Sequence, residues 1–131
     1  MSTFGNASKS VLMVLFVPSV ERDGKTPVDQ DYWVNEALEK FGRLFGGATA
    51  FPRAEGVWRD DERGGVLIRD QPVILHCYAA EEDFAPQAGM PDPMEELGKF
   101  CKRMGRETNQ GEIGMVVDDH YIAFTDFRDE E

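Results

Sequence analysis

The stretch of this chain that is richest in chemically capable side chains is Gly105-Arg106-Glu107-Thr108-Asn109-Gln110-Gly111-Glu112-Ile113-Gly114. The carboxylates of Glu107 and Glu112 and the amides of Asn109 and Gln110 could together hold a cation or position a water molecule. Alternatively, the amides close a turn by bonding to backbone groups, and the carboxylates lie in solvent. Because the spacing lacks the alternating Asp and Asn ligands of a calcium loop, we expect no metal here.

His76 and Cys77 are a second candidate pair, in an apolar run typical of a strand. Neighbours on one strand point to opposite faces, so the two cannot act together as a catalytic Cys-His pair. His76 could serve a pocket on an open sheet face, or it is an ordinary sheet histidine. In the former case we expect it to approach Tyr78 only diagonally, through the neighbouring strand. Cys77 and Cys101 have no Cys-x-x-Cys spacing, which favours buried free thiols in a reducing compartment.

Two acidic clusters and a set of aromatic residues complete the candidates. Asp60-Asp61-Glu62 and Asp118-Asp119-His120 could take a divalent cation, but acidic residues at turns are more typical of solvated loops. Exposed aromatic residues often mark interfaces, whereas core packing is their other common role. The predicted ligand- or partner-binding residues are Arg106, Asn109, Gln110, Trp58, Trp33 and Tyr78.

Composition limits the classes of function. The chain has 131 residues and a formal net charge of -11, with 14 Lys and Arg against 25 Asp and Glu. That balance disfavours non-specific nucleic-acid binding, which needs a cationic face. No apolar run reaches the roughly 18 residues of a membrane span, and no signal-peptide pattern precedes the first strand, so we expect a cytoplasmic protein. The absence of a Gly-x-Gly-x-x-Gly or Walker pattern predicts no bound cofactor.

The order of predicted elements defines the fold class. A strand at 10–17 is followed by a helix that Thr26-Pro27-Val28-Asp29 begins and Gly46 ends. Residues 48–79 are typical of a long bent hairpin. A second helix runs from Asp92 to Gly105, and two further strands end near Phe127.

This order predicts an α+β, ferredoxin-like βαββαβ domain with an extra C-terminal strand, in which two helices cover one face of an antiparallel sheet. We expect one domain at 10–127, a flexible tail at 1–9 and an acidic tail at 128–131.

Three segments also resemble small bacterial ferredoxin-like proteins of unassigned function. They are Gly46-Gly47-Ala48-Thr49, Gly56-Val57-Trp58-Arg59 and the run from Gly105 to Glu112. The resemblance covers residues 10–127, and it implies the same fold but no particular activity.

Three functions remain open at the level of sequence. The first is a non-catalytic accessory module that binds a protein partner or a second copy of itself. The second is a small-ligand or metal-binding enzyme that uses Glu107, Gln110, Glu112 and His76 in a pocket on the open sheet face. The third is an acidic, antitoxin-like neutraliser of a basic partner. The missing catalytic motifs and the net charge favour the first.

Overall fold

A computed structural model describes residues 4–129 and contains two α-helices and seven strands within that range. In chain order these are β1 (Val11–Val17), α1 (Gln30–Phe45), β2 (Thr49–Ala50), β3 (Gly56–Asp60), β4 (Val66–Asp70), β5 (Val73–Ala79), α2 (Pro93–Glu107), β6 (Ile113–Val117) and β7 (His120–Phe124). The expected mixed α+β class, with two helices and antiparallel sheets, is confirmed.

The strands form a five-stranded sheet with the order β2-β5-β1-β6-β7 and a separate ribbon of β3 and β4. All pairings are antiparallel. The expected single hairpin at 48–79 is therefore wrong in one respect, because its outer half leaves the main sheet as the β3–β4 ribbon. Pro72 accounts for the break, since it has no N–H to donate and its ring lies 3.2 Å from where a Cβ of Gly56 would be.

The core lies on one face of the main sheet. Alternate residues of β1 (Met13, Leu15 and Val17) are fully buried there, as are those of β5. Apolar residues of both helices pack against them, including Phe41 of α1 and Met104 of α2. Because side chains alternate along a strand, the intervening residues must point to the opposite face, which neither helix covers.

The helix ends differ in detail from the sequence pattern. Helix α1 begins at Gln30, after an Asp29 cap, and not at Thr26. Thr26 is held in a preceding turn, where its backbone N–H and its hydroxyl both donate to the Asp23 carboxylate. Gly46 ends α1 with a φ of 94°, which confirms the expected left-handed cap.

Helix α2 has the expected Asp92 cap and Pro93 start, but it continues to Glu107. Gly105 does not end the helix. It is buried, and a Cβ there would lie 2.2 Å from the ring of Phe127, so its function is to admit that ring.

Strand β7 ends at Phe124, earlier than expected, and the segment that follows returns over α2. Of the expected tails, residues 1–3 and 130–131 lie outside the described part of the chain. Within residues 4–129, neither helix has the length and apolar character that crossing a membrane would require.

Candidate functional site

The uncovered face of the main sheet carries a cavity of about 320 Å³ at the end where the ribbon begins. Its floor is made by Phe16, Ile74 and Gly114, from three adjacent strands. The register explains this grouping, because Phe16 faces Ile74 and residues in register point to the same side of the sheet. A volume of this size lies at the lower end of the range typical of small-molecule sites.

The ribbon forms one wall of the cavity. Gly56 and Trp58 line it, and both lie on the same side of β3, since they are two residues apart. Trp58 is half-buried, which leaves part of its indole face open to the cavity. An aromatic face of this kind can stack on a flat heterocyclic base.

Tyr121 and Glu112 form the opposite wall. The Tyr121 hydroxyl donates a 2.5 Å hydrogen bond to Oε2 of Glu112. Partial burial, and next the hydrogen bond to the Glu112 carboxylate, raise the pKa of the Tyr121 phenol above its ordinary value, because ionisation would place a second negative charge beside the first. The phenol therefore stays protonated and is a fixed donor.

Two further carboxylates lie at the rim. Oδ1 of Asp70 accepts hydrogen bonds from the backbone N–H of Ser19 at 2.9 Å and from its hydroxyl at 2.5 Å. Oε2 of Glu55 accepts one from the Gln71 side chain at 3.2 Å. Among the residues of 4–129 that line the cavity, there is no Lys or Arg. The cavity is therefore acidic at its rim and apolar at its floor, a combination suited to a cationic ligand with apolar parts.

The 105–114 stretch divides between this cavity and other surfaces. Gln110 lines the cavity, and its amide also donates to the carbonyl oxygens of Val20 at 2.7 Å and Thr108 at 3.1 Å. Asn109 adopts a φ of 53°, and its amide donates to Glu21 at 3.2 Å. The turn-closing role, in which an amide bonds to backbone groups, is thus present for Gln110, whereas the Asn109 amide bonds to a side-chain carboxylate. Only Gln110 also reaches the cavity.

Arg106 and Glu107 point away from the cavity, on the exposed side of α2. The Arg106 guanidinium donates at 2.5 Å to the carbonyl oxygen of Phe127, and Glu107 lies 3.8 Å from the Arg103 guanidinium. The structure therefore does not bring Glu107 together with Glu112, as the cation- or water-binding alternative required. Glu107 belongs to the last turn of the helix, whereas Glu112 lies beyond the turn that follows it.

His76 lies on the open face, with a ring centroid 5.1 Å from that of Tyr78 and 5.8 Å from that of Phe51. The expectation of a merely diagonal approach through the neighbouring strand is wrong, because residues two apart on one strand share a face. His76 is not among the residues that line the cavity. Of the four residues expected in an open-face pocket, the structure brings together Gln110 and Glu112.

The two tryptophans have different environments. Trp33 is only 4% exposed and packs in the core, where the Arg103 guanidinium lies 4.8 Å from its ring centroid. The prediction that Trp33 meets a partner is therefore wrong, because the apolar stripe of α1 turns it inward. Trp58, by contrast, is available in the cavity wall.

The acidic clusters are not metal sites in this geometry. Asp60 is 2% exposed and is bonded by two arginines, and Asp119 lies 2.8 Å from the exposed His120 ring. Within residues 4–129, no three His, Cys, Asp or Glu side chains converge as a metal centre would need.

Sequence reasoning missed Tyr121, Gly114 and Phe16. The available signal was the alternation of the last two strands, which places Gly114 and Tyr121 on the uncovered face once the pairing across the Asp118-Asp119 turn is drawn. Only the ribbon, which folds over that face, distinguishes these residues from other sheet positions, and the sequence did not predict where the ribbon lies.

Comparison with known proteins supports the fold. No family model matches the chain, and no curated protein does so either. A phage SAM lyase solved in complex with S-methyl-5'-thioadenosine is similar, with a TM-score of 0.66 and 14% identity over 98% of this chain and 100% of that one. A phage SAM lyase in the apo state has a TM-score of 0.63 and 14% identity, over 99% of this chain and 98% of that one.

These likenesses bear on the expected function. Both solved proteins are enzymes by name, and that finding overturns the expectation of a non-catalytic interaction module or an acidic neutraliser. The expectation of a protein partner or a homo-oligomer is untested and stays a prediction. What the comparisons establish for this chain is an architecture that it shares, over nearly its whole length, with the phage SAM lyases.

Proposed function

We propose that this protein is an enzyme that binds S-adenosylmethionine in the cavity between the ribbon and the main sheet and cleaves it there. The main support is the composition of that cavity, which has an indole in one wall, an apolar floor and carboxylates at its rim. Among the described residues that line it, no Lys or Arg neutralises those carboxylates. The adenosyl sulfonium compound presents a flat base, apolar carbons around sulfur and two positive charges. The likeness to phage SAM lyases, one with S-methyl-5'-thioadenosine bound, supports this class of substrate.

The reaction follows from the chemistry of the two compounds. To convert S-adenosylmethionine into S-methyl-5'-thioadenosine, the bond between sulfur and the four-carbon amino-acid unit must break, and its electron pair stays on sulfur. In a lyase no water is consumed, and we propose that the carbon takes an internal nucleophile instead. A carboxylate oxygen of the substrate's own amino acid can form that bond and close a lactone. The sulfonium and carboxylate charges then disappear together, and no proton is transferred.

A reaction that consumes a positive and a negative charge is favoured where water is scarce, because the two charges attract more strongly at low dielectric and neither needs solvation afterwards. The floor of the cavity provides such a surface. Phe16 and Ile74 contribute only hydrocarbon there, and neither is fully exposed. We propose that these two side chains exclude water from the region around the sulfur.

Glu112 has a different role. A carboxylate that paired with the sulfonium would stabilise a charge that the transition state loses, and it would therefore slow the reaction. The ammonium group of the substrate keeps its charge throughout, so a carboxylate can bind it without that penalty. We assign Glu112 to the ammonium group, with its orientation fixed by Tyr121.

Trp58 is assigned to the adenine. Its half-buried indole is part of the ribbon wall, and stacking on a base is worth about 1–3 kcal/mol. The base would then lie between the ribbon and the open sheet face.

The strand order also supports a finer description of the fold. Taken without β3, β4 and β7, the elements β1-α1-β2-β5-α2-β6 form an antiparallel sheet in the order β2-β5-β1-β6, as in a ferredoxin-like unit. The ribbon is then an insertion between its second and third strands, and β7 is an addition at its edge.

The direct test is incubation of the purified protein with S-adenosylmethionine and detection of S-methyl-5'-thioadenosine and the lactone by chromatography with mass spectrometry. We expect both products in equal amounts, and slower formation of both by Trp58→Ala when the substrate concentration is limiting. Glu107→Gln, on the far side of the molecule, is the matched control and should keep full activity. If the unaltered protein neither releases S-methyl-5'-thioadenosine nor binds it in calorimetry, the proposal fails.

A further inference from the structure

A buried carboxylate lies at the end of the ribbon strand that carries Trp58. Asp60 is 2% exposed, and it accepts hydrogen bonds from Nε of Arg63 at 2.6 Å and from Nη2 of Arg22 at 3.3 Å. The Arg63 hydrogen bond, which outweighs the effect of burial, holds the pKa of Asp60 below its ordinary value. Trp58 and Asp60 are two residues apart on one strand, so fixing Asp60 also fixes the direction in which Trp58 faces.

Arg22 belongs to the loop at residues 18–26, which contacts the other wall of the cavity as well. The Arg22 backbone N–H donates to the carbonyl oxygen of Asn109 at 3.0 Å. Its guanidinium crosses Gly111 so closely that a Cβ there would lie 3.2 Å from Nε. Two residues earlier in the loop, the Val20 carbonyl oxygen accepts the 2.7 Å bond from Gln110. The segment that leads to Glu112 is therefore held by this loop.

The same loop also holds the base of the ribbon. Ser19 donates to Asp70 through both its backbone and its hydroxyl, and the Ser19 hydroxyl oxygen accepts the backbone N–H of Gln71 at 2.9 Å. Arg63 in turn donates at 2.6 Å to the carbonyl oxygen of Arg22. Loop 18–26 thus contacts the ribbon at both ends and the 109–111 segment on its other side.

We propose that Arg22 is a positioning residue that sets the width of the cavity by joining the ribbon wall to the wall of Gln110 and Glu112. Its backbone N–H and its Nε lie against the 109–111 segment, whereas its backbone carbonyl oxygen and its Nη2 contact the end of the ribbon. It therefore fixes the separation of Trp58 and Glu112 without contacting the ligand. The effect on the ligand rests on the proposed function. The mechanical effect on the two walls does not.

The mechanical test uses Arg22→Met and follows hydrogen exchange of the amides at 56–60 and 109–112. Loss of the charge-assisted hydrogen bond to Asp60 predicts at least about tenfold faster exchange at 56–60. The backbone bond to Asn109 remains, but loss of the guanidinium that covers Gly111 should also make exchange at 109–112 faster. The matched control is Arg59→Met, which removes the exposed 2.6 Å pair with Asp61 on the same ribbon and should change neither segment. Unchanged exchange at 109–112 in Arg22→Met would overturn the proposal.

A second readout reports on Trp58 itself. The sequence has two tryptophans, so in a Trp33→Phe background the fluorescence comes from Trp58 alone. Arg22→Met should increase its quenching by acrylamide, and Arg22→Lys should restore part of the protection because a cation remains for Asp60. If Arg22→Met does not fold, Arg63→Met tests the ribbon half of the contact in the same way. Protection of Trp58 equal to that of the unaltered protein in both variants would contradict the proposal.

The ligand test measures binding of S-methyl-5'-thioadenosine and the KM for S-adenosylmethionine. We expect Arg22→Met to weaken binding of S-methyl-5'-thioadenosine about tenfold and to raise the KM by a similar factor, with a smaller change in kcat. The substitution loosens the two walls of the cavity but leaves the reacting groups unchanged. Faster exchange combined with no nucleoside binding by the unaltered protein would retain the mechanical role of Arg22 and reject the proposed function. Faster exchange with unchanged affinity and KM would reject the role of Arg22 in ligand binding.

Discussion

The side chain of Tyr121 on β7 crosses directly over Gly114, and its hydroxyl donates a 2.5 Å hydrogen bond to Glu112, the residue that precedes β6. In the strand register Tyr121 faces Val116, so its side chain leans along β6 to make this contact. A Cβ at Gly114 would lie 2.2 Å from the Tyr121 oxygen. The absence of a side chain at one sheet position therefore determines where an aromatic wall and a carboxylate of the cavity stand.

Gly114→Ala should displace Tyr121 and separate it from Glu112. A Cβ there would meet the outer end of a side chain that is 58% exposed, so the loss of stability should be no larger than about 1 kcal/mol, the lower end of the cost of overpacking a closed core, and urea unfolding would measure it. Gly42→Ala is the matched control, because a Cβ there meets nothing within 4 Å and alanine favours a helix interior, so that variant should be neutral or more stable. If Tyr121 causes the strain, Gly114→Ala combined with Tyr121→Val should recover most of the loss. Equal destabilisation with and without Tyr121 would contradict this explanation.

The raised pKa of the Tyr121 phenol predicts a loss of stability in alkali. In the unfolded chain the phenol ionises near its ordinary pKa of about 10. Because the folded protein retains the proton to higher pH, its contribution to stability is complete below about pH 10 and declines as pH rises further. Phenolate absorbance and urea unfolding against pH would measure the two effects. The decline should be smaller in Tyr121→Phe, and an equal decline in that variant would contradict this explanation.

The elements that the sequence predicted well are those with strong local signals. Asp92 and Pro93 identify the start of α2, and Gly46 identifies the end of α1, because caps depend on residues adjacent in the chain. Thr26 was misleading, since Asp23 holds it in a preceding turn, where its hydroxyl donates to that carboxylate and does not accept a helix N–H as a cap would.

The candidate site was harder to predict because it depends on contacts between distant segments. Glu112 and Tyr121 become partners only through strand register, and Trp58 reaches them only because the ribbon leaves the main sheet at Pro72. Glu107, which is closer to Glu112 along the chain, lies on the other side of a turn with a left-handed Asn109. Proximity in sequence thus gave the wrong partner for Glu112, and the alternation of the last two strands indicates Tyr121 only once their pairing is drawn.

Trp58→Ala should mainly weaken ligand binding, whereas Trp33→Ala should mainly lower the stability of the fold. Trp33 is 4% exposed and packs against Phe100, so its truncation should lower the unfolding free energy by about 3–5 kcal/mol. Trp58 lines the cavity, so its truncation should weaken binding of S-methyl-5'-thioadenosine by about 1–3 kcal/mol. Calorimetric titration and urea unfolding separate the two. Unchanged affinity in Trp58→Ala would remove the ribbon from the binding site.

Glu112→Gln distinguishes which part of the substrate the carboxylate holds. If Glu112 binds the ammonium group, the variant should weaken binding of S-adenosylmethionine by about tenfold or more, as expected for the loss of a charge-assisted hydrogen bond. Binding of S-methyl-5'-thioadenosine should be unchanged, because that compound lacks the amino acid. The difference should shrink in high salt, since Glu112 is exposed. Glu107→Gln is the matched control and should affect neither ligand, because Glu107 contacts Arg103 on α2. Equal weakening of both ligands by Glu112→Gln would instead assign the carboxylate to the ribose hydroxyls, which the two compounds share, and would exclude the ammonium assignment.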